Sequence, residues 1–254
     1  MTARRLAACV RLATAAATAL LVIGFLAVPA QAQDISINFG QGTGVTERVI
    51  QMIALLTVLS LAPSILVMMT SFTRIVVVLS LLRTALGTAT APPNAVIVSL
   101  ALFLTTFVMG PAFQRAYDVG IKPLIANEIT AEQAFERSAG PFKDFMLKNV
   151  RDKDLKLFND LSKEPLPVSP EQMSLRILIP AFMISELKRA FEIGFLLFLP
   201  FLIIDLVVAS VLMSMGMMML PPVVVSLPFK LIFFVLVDGW SLVAGSLVQS
   251  YGGG

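Results

Sequence analysis

The chain has 254 residues, 57% of them hydrophobic and 14% charged, where soluble domains carry about 25% charged residues, so it reads as a membrane-embedded or membrane-associated protein. Histidine is absent and the one cysteine, Cys9, lies near the start, which removes disulfide, Cys/His zinc, cysteine-nucleophile and Ser-His-Asp chemistry once a leader is cleaved. The formal charge of +3 rests on Arg4, Arg5 and Arg11; without them 16 basic residues face 16 acidic ones, a balance that gives no signal for nucleic acid.

The leader comes first. MTARRLAACVRLATAAATALLVIGFLAVPAQAQ has a basic start, an apolar stretch from about Leu12 to Val28, and small residues at Ala30-Gln31-Ala32. That is the pattern of a secretory signal peptide over 1–32, with cleavage before Gln33; an uncleaved first membrane helix is the other reading. A polar tail over 33–48 would then lie in the periplasm.

An apolar run without charge follows from Val49 to Thr73, interrupted by Pro63, where a kink is expected. It resumes after Arg74 as IVVVLSLL up to Arg83. GTATAPPN (87–94) is a turn, with glycine stopping one helix and two prolines opening the next. A second uncharged segment runs from about Ala95 to Phe113, so 49–113 reads as a first apolar hairpin.

The composition then shifts. Between Arg115 and Glu192 lie 12 basic and 12 acidic residues, three quarters of the mature chain's charge, so 114–176 is expected to be a water-facing helical insert. Thr130-Ala-Glu-Gln133 fits a capping box. Apolar residues at helical spacing follow: Phe142, Phe145 and Met146, then Leu155, Leu157, Phe158 and Leu161. PLPVSP (165–170) breaks the pattern, and Ser169 with Pro170 is expected to start the next helix. In SELKRAFE the residues Glu186, Arg189 and Glu192 can pair along one face. The second apolar hairpin, 177–254, turns at MSMGMMMLPP (213–222) and ends in a segment over about Val223 to Val248.

The fold class is therefore all-α: two long apolar helical hairpins, kinked by prolines, with a polar helical insert between them. If Gln33 is outside the membrane, the insert is periplasmic and both hairpin turns are cytoplasmic. These turns hold one arginine between them, so the positive-inside rule gives little direction.

Asp205 and Lys230 stand 15 and 10 residues from Leu220 on opposite limbs of the second hairpin. At 1.5 Å per residue their offset is about 7 Å, which an irregular turn can absorb. Each charge in an apolar helix needs a partner, and each is the other's nearest candidate, with Asp238 a rival for Lys230. A structural latch, a latch that takes part in gating, and an ion or proton pathway all fit this pattern. An intramembrane aspartyl protease using Asp205 and Asp238 lacks the glycine-flanked context and would be neutralised by Lys230. Met217, Met218 and Met219 are consecutive, so they point in different directions and do not fill one core. They either pack a turn loosely or, repeated around an axis, meet as a soft, polarizable seal.

PAFMISELKRAFEIGFLLFLPFLIIDLVVASVLMSMGMMMLPP, SLPFKLIFFVLVDGW and SFTRIVVVLSLLRTALGTATAPPN closely resemble the FliP/SctR family of type III export-gate subunits, over about residues 45–251. The leader and tail favour the flagellar branch over the injectisome one. The resemblance implies a ring of five copies assembled with FliQ-like and FliR-like small membrane subunits and larger export-gate components. Such an assembly is a helical cone largely above the membrane plane, in a flagellar basal body at the bacterial inner membrane. It implies that Met217, Met218 and Met219 line a closed pore for unfolded export substrates, and that Asp205 and Lys230 form a structural ion pair. It also implies assembly contacts at Phe145, Phe158 and Glu186. The function expected is non-enzymatic and cofactor-free; a secondary transporter or ion channel using Asp205 and Lys230 is the alternative from another class.

Overall fold

The computed structural model describes residues 49–252 except 51, 54, 55, 58, 59, 61–63, 66, 89, 163–172 and 218. The signal peptide, the tail, Pro63, PLPVSP with Ser169 and Pro170, and Met218 lie outside the described residues. Among the described residues every regular element is helical.

Helix α1, Phe72–Leu86, follows a turn at Met69–Ser71 and stops at Gly87, whose φ of 78° is a left-handed conformation that suits glycine. Arg83 reaches across the turn, donating from Nη1 to Asn94 Oδ1 at 2.5 Å and to the Pro92 carbonyl at 3.3 Å. The lone turn arginine thus fixes the start of α2, Asn94–Ala116. Along α2 the inward residues Ile97, Ala101, Thr105, Met109, Ala112 and Ala116 recur every three or four positions. Thr105 satisfies its buried hydroxyl on the Ala101 carbonyl, 2.6 Å away. On the other face Phe103 and Phe107 are 76% and 74% exposed, an arrangement suited to lipid or protein neighbours rather than water.

The helix continues as a π segment, Tyr117–Ile121, and a short α3, Lys122–Ile125. Gly120 permits this close packing, because a Cβ there would stand 1.9 Å from Ser138 Oγ. Helix α4, Ala131–Asn149, opens with the expected capping box: Thr130 Oγ1 accepts from the Gln133 amide and Gln133 Oε1 accepts from the Thr130 amide. Helix α5, Asp152–Ser162, does not bury the whole expected stripe. Leu155 and Phe158 pack inward, whereas Leu157 and Leu161 are exposed. The buried Asp154 and Asn159 set this rotation, since they place the inward face one step away from the purely apolar one.

Helix α6, Leu175–Ser214, runs 40 residues through Pro180 and Pro200. At 1.5 Å per residue it is about 60 Å long, roughly twice a bilayer's hydrocarbon core. Its N-cap is Ser174, whose hydroxyl accepts from the Arg176 amide. After the methionine turn come α7, Pro222–Leu236, and α8, Gly239–Gly252, bent by 63° from one another. The sequence suggested one segment here. Asp238, at φ 50°, breaks it, and Gly239 lies so close to Phe234 that a Cβ would be 2.2 Å from the ring.

Among the described residues, helix α1 forms the centre of the packing. Its Ile75, Val78, Leu79, Leu82, Ala85 and Leu86 are buried against residues of α2, α6, α7 and α8. A second core joins α2, α4 and α6 through Met109, Phe142, Met146, Leu178, Ala181 and Phe182. Helices α1 and α6 run the same way, because Arg74 meets Glu186 and Leu81 meets Gly194 one stage further along both. The α1–α2 turn and the methionine turn therefore lie towards one end. Beyond Asp205, α6 continues nine residues to Ser214, a reach of about 14 Å. Among the described residues, Asn94–Ile125 and Leu175–Ser214 are long and apolar enough to cross a membrane, with the bent α7–α8 pair a third candidate.

Candidate functional site

The tip of the α6–α7 hairpin carries the methionine turn. Gly216 takes φ 74°, and the chain around it forms a Schellman stop: Met217 N–H donates to the Leu212 carbonyl and Gly216 N–H to the Met213 carbonyl, both at 3.0 Å. This motif ends α6 abruptly and throws the methionines outward. Met219 is 98% exposed, and Met213, Met215 and Met217 are exposed as well. Between the two limbs an apolar groove of about 530 Å³ remains, lined by residues such as Ile204, Val208, Leu212, Val225, Phe229 and Phe233. Among the described residues nothing covers the tip.

At the base of the tip the structure joins Asp205 and Lys230. Lys230 Nζ donates to Asp205 Oδ2 at 2.6 Å and to the Ala85 carbonyl at 3.2 Å, while Ser226 Oγ donates to Asp205 Oδ1 at 2.5 Å. Ala85 sits in the last turn of α1, where carbonyls lack helical partners and a cation is favoured. One ammonium therefore ties α1, α6 and α7 together. Asp238, the rival, sits at the α7–α8 bend instead.

A second buried cluster stands at the other end of α1. Arg74 donates from Nε to Glu186 Oε2 at 2.9 Å, from Nη2 to Glu186 Oε1, and from Nη1 to Ser250 Oγ at 3.0 Å. Tyr251 donates its hydroxyl to Glu186 Oε2, and its ring lies 3.8 Å beneath the guanidinium carbon. Phe145 stacks on that ring at 5.6 Å and meets Phe182 edge-on at 5.9 Å. Arg74 and Glu186 are 1% and 0% exposed. Glu186 thus turns inward to α1 rather than along its own helix towards Arg189, and Glu192 is left to a 3.7 Å surface pair with Lys188. Phe145 is half-buried in this cluster, and Phe158 half-buried against the second core.

Arg74, Ser250 and Tyr251 escaped the reading of candidate residues. A signal existed for the arginine, a lone cation inside an apolar run, to which the rule that such charges need partners applies as it does to Asp205. Nothing marked Tyr251.

A third polar contact fastens α5 to α6. Ser185 Oγ donates to Asp154 Oδ2 at 2.7 Å, and Arg151 pairs with the same oxygen at 2.6 Å. Burial alone would raise the Asp154 carboxyl, but the Ser185 hydrogen bond and the Arg151 charge together hold it below the ordinary aspartate value. Its stabilising contribution is then complete above the unfolded value and lost as pH falls through the lower folded one. Asp154→Asn is expected to cost about 1–3 kcal/mol near neutral pH and to remove that part of the acid sensitivity, read as denaturation midpoint against pH.

Among the described residues no group of three or more Asp, Glu, Cys or His stands close enough to hold a metal ion. What remains is a helical protein with segments long and apolar enough to cross a membrane, in which, among the described residues, the buried charges are paired across helices and the apolar tip is exposed.

The chain belongs to the FliP family, whose model matches residues 55–247. It is 62% identical over 242 residues to the flagellar biosynthetic protein FliP of Caulobacter vibrioides, covering 95% of this chain and 91% of the relative. Its identity to the FliP proteins of Bacillus subtilis and Aquifex aeolicus is 55% over 202 residues and 51% over 237. These alignments cover 80% and 92% of this chain, and 91% and 98% of the relatives.

Proposed function

We propose that this chain is a channel-forming structural subunit of the flagellar type III export gate, passing unfolded flagellar proteins across the inner membrane. The family membership and the naming of the relatives as flagellar biosynthetic proteins support the setting. The observation that carries the channel reading is the α6–α7 tip, an apolar hairpin reaching past the Asp205–Lys230 pair and ending in exposed methionines. A lone chain gains nothing from such a tip. Around an axis shared by several copies, five in this proposal, the tips close against each other. Met217, Met218 and Met219 then form a seal of flexible thioethers that excludes ions at rest and yields to side chains of any shape.

In this reading the Asp205–Lys230 pair is the latch at the base of each tip, and its engagement with Ser226 and the Ala85 carbonyl supports a fixed role over an ion pathway. Phe145 and Phe158 serve assembly by holding α4 and α5 against α6, and Glu186 does so by joining α6 to α1 through Arg74, since it is fully enclosed within its own chain. FliQ-like and FliR-like membrane subunits complete the gate, and the charged insert faces the periplasm. No catalytic step is assigned.

Alanine at Met217, Met218 and Met219 together is expected to leave the assembled complex intact while cells become leaky to small ions. Ion-sensitive growth and dye uptake read this outcome, and unchanged permeability in an assembled triple variant would sink the seal. Native mass measurement tests the ring: a closed oligomer is expected, and a stable monomer among its partners contradicts the proposal.

A further inference from the structure

The two buried clusters share a plan. Each sets an acidic residue of α6, Glu186 or Asp205, against a cation, and each draws in α1, through Arg74 at one end and the Ala85 carbonyl at the other. Each also takes a group from the α7–α8 arm: Lys230 from α7, Ser250 and Tyr251 from α8. The arm is therefore fastened by polar contacts at two places to the same two helices, and between them Phe234, Val243 and Leu247 pack into the α1 core.

Its elbow is stiff. Phe234 packs against Gly239 with no room for a Cβ, and its ring meets Trp240 edge-on at 5.3 Å. Near the turn α7 is held to α6 on one side by the Ser226–Asp205 bond, while on the other side the groove beside Val208, Val225 and Phe229 leaves the two helices unpacked. Apolar packing along a rigid bent arm resists separation more than it resists sliding or rotation, and a directional polar fastening at the far end fixes the remaining angle. Helix α8 spans 14 residues, about 21 Å, so the second fastening acts with a long lever.

We propose that Ser250 and Tyr251 are positioning residues for the methionine turn, setting the spread of the α6–α7 tip from the far end of the arm. The contacts at Tyr251 are suited to this. Its hydroxyl bonds Glu186, its ring carries Arg74, and Phe145 of α4 covers the other side, so α8 is located against three helices at once. Ser250 adds a fourth contact through Arg74 Nη1. The consequence for the seal rests on the gate reading above, whereas the mechanical claim does not.

The test is a rate of disulfide formation in the full chain, assembled with its export partners in native membranes, with Cys9→Ser as background. Val208→Cys with Val225→Cys reports the tip, and Phe113→Cys with Phe142→Cys, whose rings meet at 5.6 Å, reports the α2–α4 contact as a control. Tyr251→Ala is expected to change the tip rate about fivefold while the control rate and the yield of complex hold, as for a coupling between distant sites. Should Tyr251→Ala fail to accumulate, Tyr251→Phe and Ser250→Ala, which each remove only a hydroxyl, are expected to shift the tip rate in one common direction. An unchanged tip rate in these variants, or equal changes at tip and control, overturns the proposal. Loss of the seal reading alone would show differently, as tight membranes in the methionine variants alongside a shifted tip rate.

Discussion

Replacing Asp205 with alanine is expected to destabilise the protein by about 3–5 kcal/mol, more than replacing Lys230 with methionine. The asymmetry follows from burial. The Lys230 side chain is 4% exposed, and without Asp205 its ammonium keeps one carbonyl, that of Ala85. Asp205 is 26% exposed, so without Lys230 it retains the Ser226 hydroxyl and some access to solvent. Joint replacement by Leu at 205 and Met at 230 is expected to lie closer to the parent than Asp205→Ala, because no charge is then stranded. Thermal denaturation in detergent and recovery of the assembled gate measure both. A double variant as damaged as the worse single one would show that the charges do more than neutralise each other.

Arg74→Lys is expected to behave nearly as badly as Arg74→Ala, which should cost about 3–5 kcal/mol by leaving Glu186 without a cation in a fully enclosed site. The guanidinium supplies a fork to both Glu186 oxygens, a third donor to Ser250 and a flat face to the Tyr251 ring. An ammonium offers a point charge on a flexible stem and satisfies one of these at a time. The measurement is the denaturation midpoint of Arg74→Lys beside Arg74→Ala and Glu186→Gln. A lysine variant as stable as the parent would mean that charge alone, and not the planar geometry, holds the cluster.

The two clusters were unequally legible. Asp205 and Lys230 flank one turn, so chain geometry alone puts them within reach, and the apolar surroundings demand a partner for each. Arg74 and Glu186 are separated by 112 positions, and Tyr251 lies a further 65 from Glu186. No local pattern links such residues, and the i, i+3 spacing of Glu186 with Arg189 and Glu192 offered a local pairing in their place. The buried alternative prevailed because Glu186 lies on the face of α6 that α1 covers. The rotation of α5 was hidden for a similar reason: apolar spacing singled out Leu157 and Leu161, while the Asp154–Ser185 bond turned them outward.

Properties that depend on neighbours in the chain were settled by composition and order. They include the all-helical class, the change from apolar to charged segments, the stop at Gly87, the capping box at Thr130 and the reversal at Gly216. Each follows from backbone preference or from the cost of exposing apolar surface over a short stretch. Only packing decided the break of the last segment at Asp238–Gly239, the parallel course of α1 and α6, and the enclosure of Glu186. Those outcomes depend on which surfaces meet across tens of residues, and a buried charge takes whichever partner the fold brings within hydrogen-bonding distance.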